Sequence, residues 1–100
     1  MRKSDKPKRG LGNTRQVRLE LYRPESREVF IAGSFNDWQV AASPLNHLGE
    51  SIWVVDLCLA PGRHEYRFIA DGEWIDDPNA KEIVSNPHGG FNSILIVEPV

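Results

Sequence analysis

The chain has 100 residues, of which 40% are hydrophobic and 26% charged, with a formal net charge of −2; this suits one domain that buries its own core. No apolar run is long enough to span a membrane and no signal-peptide segment follows the basic start, so neither an anchor nor a membrane partner is expected. The lone Cys58 excludes an internal disulfide and favours a reducing compartment, the cytoplasm, with Cys58 filling a strand rather than acting as a nucleophile.

The charge is unevenly distributed along the chain. Residues 1–16 carry a net charge of +5 and the remainder carries −7. A short basic segment that contains glycine and lacks apolar periodicity predicts a flexible tail over residues 1–15, followed by an ordered domain over residues 16–100. Such a tail suits nucleic acid or an acidic surface, and equally a solubilising tail or a linker remnant. We favour the second interpretation, so no nucleic-acid partner is expected.

Short alternating segments separated by turn residues predict about seven β-strands. The clearest is 51–59, where Trp53 falls on the apolar face. The segment 41–48 is expected to be irregular, with Pro44 arguing against a regular helix and Leu45 as its anchor. No stretch has the pattern of an amphipathic helix, which favours an all-β, antiparallel, immunoglobulin-like sandwich. The expected core is Leu19, Ile31, Phe35, Trp53, Leu57, Tyr66, Phe68 and Ile94.

The stretch around residues 64–78 is the most informative one. Tyr66 and Phe68 alternate with Arg67, so the aromatic side chains and the arginine are expected on opposite faces of a strand. Asp71-Gly72 predicts a tight turn, with the Asp71 side chain bonded to its own backbone. Trp74 follows the turn directly. We therefore expect Arg67 and Trp74 on one outward face.

A second aromatic segment, Ser34-Phe35-Asn36-Asp37-Trp38, follows the break at Gly33. Two turn-forming residues lie between its aromatic residues, so Phe35 is expected to close the end of the core and Trp38 to be carried outward.

Catalysis is not expected. Asp71, Glu73, Asp76 and Asp77 form an acidic cluster, and glycosidases need paired carboxylates. These four residues, however, are placed on a surface hairpin, whereas hydrolysis needs a deep site that raises the pKa of one carboxyl group. The three histidines, His47, His64 and His88, lack metal-ligand spacing, so neither a metal nor another cofactor is predicted.

An ordered series of motifs resembles the family 48 carbohydrate-binding modules: Gly33–Trp38, Pro44-Leu45, Trp53, Pro61-Gly62, Tyr66-Arg67-Phe68, Asp71-Gly72-Glu73-Trp74, Asp77-Pro78 and Asn92-Ser93. The family includes the glycogen-binding domain of a kinase β subunit and modules that precede the catalytic barrels of glycogen-branching and debranching enzymes. The resemblance covers residues 17–97. It implies a non-catalytic module that binds α-1,4-linked glucans.

The resemblance also implies the site residues. The two tryptophans that stack on glucose rings correspond to Trp38 and Trp74, the basic residue to Arg67 and the asparagine to Asn92. Two positions depart from the pattern of the kinase module: its apolar clamp residue corresponds to His88 and its threonine to Gly90. These six residues are the predicted carbohydrate site.

The chemistry of the side chains supports the same interpretation. An indole offers a flat apolar face to the C–H face of a pyranose, while Arg67 and Asn92 can bind its hydroxyls. Each residue also has a purely structural alternative: Trp74 can pack on its own hairpin and Trp38 can cover the end of a sheet. Arg67 can pair with Glu65 or Asp76, and Asn92 can hold a turn. A protein-docking or regulatory sandwich with a lost or weakened sugar face is the alternative function, because surface tryptophans also anchor protein interfaces.

Overall fold

The computed structural model describes residues 14–99 of the chain. Within this range there is no helix, and every strand pairing is antiparallel. The eight strands are β1 (Arg15–Tyr22), β2 (Val29–Gly33), β3 (Asn46–Gly49), β4 (Ile52–Leu59), β5 (Gly62–Ala70), β6 (Glu73–Ile75), β7 (Glu82–Ser85) and β8 (Phe91–Val97). The predicted tail over residues 1–15 falls almost entirely outside the described residues.

The strands form two sheets. The smaller sheet has the order β1-β4-β3, and the larger has the order β2-β5-β8-β7, with β6 paired to the C-terminal half of β5. The buried cluster between the sheets draws Leu21 and Trp53 from the first sheet and Ile31, Tyr66 and Phe68 from the second. Two antiparallel sheets that bury one face each against a shared core make an all-β sandwich, which confirms the predicted fold class.

The predicted core is confirmed in its centre and less buried at its ends. Ile31, Trp53, Tyr66 and Phe68 are buried in the main cluster. The other predicted members differ: Leu19, Phe35 and Leu57 are partly buried and pack against this cluster, while Ile94 is buried outside it. Trp53 donates its indole N–H to the Arg23 carbonyl at 3.2 Å and stacks on His47 with ring centroids 4.7 Å apart.

One local expectation was wrong. The segment 41–48, expected to be irregular, contains the start of β3, which pairs with β4 through a register shift between His47 and Gly49. Pro44 does not prevent this strand because it precedes it; Pro44 itself only bridges to Phe30 on the outer edge of β2. Cys58 lies in β4, as expected, and is exposed there.

Candidate functional site

The centre of the candidate site is the outer face of β5. Tyr66 and Phe68 point into the core, as the alternation predicted, which leaves Arg67 on the opposite face of the strand. Trp74, in β6, pairs in register with Ile69, two residues after Arg67. Residues two apart on a strand share a face, so Arg67 and Ile69 lie on the same side of the sheet. Trp74, which is directly opposite Ile69, lies on that side too. Trp74 remains 40% exposed there.

The turn that carries Trp74 is held by Asp71. Asp71 and Gly72 both have positive φ, 51° and 85°, the conformation that an Asp-Gly hairpin favours. Contrary to the expectation, the Asp71 carboxylate bonds the backbone of a distant segment rather than its own. It accepts the backbone N–H groups of Arg27 and Glu28 at 2.9 and 3.0 Å, and these bonds lower the pKa of Asp71. The β5–β6 turn is thereby tied to the connection between β1 and β2.

Asn36 organises the loop that carries Trp38. Its side-chain oxygen accepts the Gly33 N–H, and its amide nitrogen donates to the Ile31 carbonyl and the Ser43 hydroxyl, each at 3.0 Å. The backbone N–H of Trp38 donates to the Gly33 carbonyl at 3.0 Å, and Trp38 has a φ of 59°. A non-glycine residue in the left-handed region is uncommon, and here the bonds made by Asn36 hold the turn. Trp38 ends half-buried rather than fully outward.

Gly33 lets this loop approach β5. A Cβ atom at this position would lie 2.5 Å from the Glu65 carbonyl oxygen and 2.6 Å from the Phe35 ring, closer than real side chains come. The glycine therefore sets the distance between the Trp38 loop and the strand that bears Arg67. Phe35 itself is partly buried at the end of the core, edge-on to His64 with centroids 6.3 Å apart.

These elements enclose an open cavity of about 650 Å³, the Trp38–Trp74 cavity. Five of the six predicted site residues line it: Trp38, Arg67, Trp74, His88 and Asn92. Gly90 does not line it but lies behind Arg67, where a Cβ atom would be 3.4 Å from the guanidinium Nη1 atom. The lining is completed by residues that the sequence interpretation did not select, Glu65, Asn86 and Pro87.

Arg67 makes one of the two ion pairs considered from the sequence. Its Nη2 atom donates to Asp76 at 3.0 Å, while its Nε atom is buried without a hydrogen-bond partner. The Arg67 side chain is 20% exposed and that of Asp76 55% exposed, so the pair adds little to stability. The bond holds the guanidinium group against Asp76, the residue that follows β6, at the side of the cavity.

Glu65 pairs with Arg63 and Asn92 rather than with Arg67. Its Oε1 atom accepts from the Asn92 amide at 2.9 Å and its Oε2 atom accepts from Arg63 at 2.6 Å. The bond from Asn92, followed by the bond from Arg63, lowers the pKa of Glu65. One sequence signal pointed to Glu65: it lies two residues before Arg67 on the same strand and therefore shares its face.

The acidic cluster offers no pair of free carboxylates. Asp77 is buried, not on the surface as expected, and accepts hydrogen bonds from the Tyr66 hydroxyl and the Asn79 N–H. Burial, and then the bond to Asp77, raises the pKa of Tyr66. Asp76 and Asp71 are engaged by the contacts already described. Among residues 14–99, no group of three or more His, Cys, Asp or Glu side chains is arranged to hold a metal ion, and no helix is long and apolar enough to cross a membrane.

The fold and the cavity define the class of protein: a small β-sandwich that presents two tryptophans, an arginine and an asparagine in one surface cavity. Residues 17–100 match the family model described as the glycogen recognition site of AMP-activated protein kinase. The chain belongs to this family.

Individual relatives are consistent with this assignment. The 5'-AMP-activated protein kinase subunit beta-2 of Rattus norvegicus is 32% identical over 87 residues, which cover 85% of this chain and 31% of that protein. The beta-2 subunit of Homo sapiens aligns to the same extent. The beta-1 subunit of Sus scrofa is 35% identical over 72 residues, or 72% of this chain and 56% of that protein. The chain thus spans about a third of the length of its beta-2 relatives.

Proposed function

We propose that this chain binds α-1,4-linked glucans of the glycogen and starch type, without catalysis, in the Trp38–Trp74 cavity. One observation carries the proposal: two tryptophans 36 residues apart in sequence line one cavity together with Arg67 and Asn92. The family description, which names glycogen recognition, supports the same ligand class.

The roles follow from the chemistry of the side chains. The indole rings cover the C–H faces of glucose units, at low entropic cost because each ring has only two rotatable bonds. Arg67 supplies charge-strengthened N–H donors to hydroxyl groups, from a guanidinium already held by Asp76. Asn92 supplies a donor and an acceptor on the neighbouring strand. No covalent step is assigned to any of them.

His88 and Gly90 belong to the loop at the rim of the cavity. His88 lines the cavity from the loop between β7 and β8, where its imidazole can meet a sugar hydroxyl as donor or acceptor. Gly90 borders the Arg67 guanidinium group, since a Cβ atom at this position would lie 3.4 Å from Nη1, an ordinary van der Waals contact. We assign both residues to the binding site, His88 as a contact and Gly90 as a neighbour of Arg67.

Isothermal titration calorimetry with maltoheptaose and β-cyclodextrin tests the proposal. We expect saturable binding of both ligands. A β-1,4-linked glucose oligomer of equal length should not bind, because it is extended and its successive rings do not follow the curve of an α-1,4-linked glucan. If the unmutated chain ignores maltoheptaose at millimolar concentration, the glucan proposal is wrong, and docking of a protein on this face becomes the better explanation of the exposed tryptophan.

A further inference from the structure

A network of hydrogen bonds joins three polar residues that line the cavity, Asn86, Asn92 and Glu65. Asn86 accepts the backbone N–H groups of His88 and Gly90 with its side-chain oxygen, at 2.9 and 3.2 Å. Its amide nitrogen donates to the Asn92 side-chain oxygen at 3.1 Å, and the Asn92 amide nitrogen donates to Glu65 at 2.9 Å. Glu65 in turn accepts from Arg63.

The donor and acceptor roles in this network are fixed by the groups at its two ends. Backbone N–H groups can only donate, so the side-chain oxygen of Asn86 must face the loop and its NH₂ group must face Asn92. A carboxylate can only accept and an arginine can only donate, so Glu65 must receive the NH₂ group of Asn92. The amide of Asn92 therefore has one orientation that satisfies both neighbours, and the reversed amide would oppose two donors at one end and two acceptors at the other.

We propose that Glu65 and Asn86 are positioning residues, which fix the amide of Asn92 so that it presents one N–H donor and one oxygen lone pair to a sugar. The inference rests on the proposed function. Adjacent hydroxyl groups of a pyranose can accept one hydrogen bond and donate another, and a fixed amide matches that pair without losing rotamer entropy when the ligand binds.

The same network of hydrogen bonds connects Asn92 to the loop of residues 86–90. The loop supplies His88 to the cavity and Gly90 to the space beside Arg67, and both backbone N–H groups are anchored on Asn86. Asn86 thus places the rim residue His88 and orients Asn92 at the same time. A change at Asn86 is expected to affect both contacts.

Substitutions at Glu65 test the positioning role by titration with β-cyclodextrin. Glu65→Ala removes the acceptor, so Asn92 is free to rotate, and we expect affinity to fall about tenfold, the equivalent of one well-formed hydrogen bond to a charged group. Glu65→Gln keeps an acceptor oxygen for Asn92 and should stay within about threefold of the unmutated chain. Asn46→Asp, which adds a negative charge at an exposed position of β3 outside the cavity, should leave affinity unchanged.

A double substitution separates positioning from a structural role and does not depend on Glu65→Ala folding. Asn92→Asp alone sets two carboxylates against each other and should lower both the melting temperature and the affinity. In Glu65→Gln/Asn92→Asp the amide at position 65 donates to the carboxylate at position 92, which also accepts from Asn86, so the melting temperature should return to within about 4 °C. Affinity should remain about tenfold weaker, because the N–H group facing the sugar is not restored.

The outcomes distinguish this inference from the proposed function. If the unmutated chain binds β-cyclodextrin and Glu65→Ala binds it equally well, the positioning role is refuted and glucan binding stands. Recovery of affinity together with the melting temperature in the double variant would show that the contact serves only the fold, and would also overturn the inference. Failure of the unmutated chain to bind refutes glucan binding and the positioning role with it.

Discussion

Truncation of Trp74 gives the sharpest test of the cavity. Large aromatic side chains offer about 150–250 Å² of surface, so a tryptophan that is 40% exposed leaves about 100 Å² of it for a ligand. A glucose unit that covers about half to two thirds of that surface contributes about 1.3–1.7 kcal/mol at about 25 cal/mol per Å². We therefore expect Trp74→Ala to weaken glucan binding by about tenfold.

The assay is calorimetric titration with maltoheptaose, accompanied by chemical denaturation of each variant. Trp38→Ala should lose affinity to a similar extent, since Trp38 is half-buried in the same cavity. Trp74→Ala should also lose some stability, because the rest of its side chain is buried. The matched control is Tyr22→Ala, which removes a 64% exposed aromatic residue of β1 outside the cavity. Equal binding by Trp74→Ala and the unmutated chain, or an equal loss in Tyr22→Ala, would refute the reasoning.

Three further predictions concern stability and the tail. Trp53→Ala should lower the free energy of unfolding by about 3–5 kcal/mol in urea denaturation, because it empties a buried site; a loss confined to glucan affinity would contradict this. The pKa of Asp71 is lower in the folded chain than in the unfolded one. Its carboxylate therefore stabilises the fold at a pH above the pKa of the unfolded chain, and this contribution is lost as the pH falls through the pKa of the folded chain. The stability difference between the unmutated chain and Asp71→Asn should therefore shrink below about pH 4, and a difference that grows there would be evidence against the role assigned to Asp71. Deleting residues 1–14 should leave affinity for neutral glucans within about twofold, and a larger loss would place the tail at the site.

The sequence alone was sufficient for the fold class and for which face each residue of β5 occupies. The alternation of Tyr66 and Phe68 with Arg67 reports a period of two, and that period survives in any sandwich because one face must be buried. The turn at Asp71-Gly72 was predictable for the same kind of reason: few residues tolerate positive φ. Family resemblance then selected Trp38, Arg67, Trp74 and Asn92, which the cavity brings together.

Tertiary structure decided what depends on partners distant in sequence. Asp71 bonds a loop more than 40 residues away, and Asp77 is buried beside Tyr66. No local pattern carries this information, because the burial and the partners of one residue depend on which other segment covers it. Glu65 and Asn86 illustrate the same limit at the site. Their residue types are ordinary for a strand and a turn, and only the pairing of β5 with β8 and of β8 with β7 places their side chains in one chain of hydrogen bonds around Asn92.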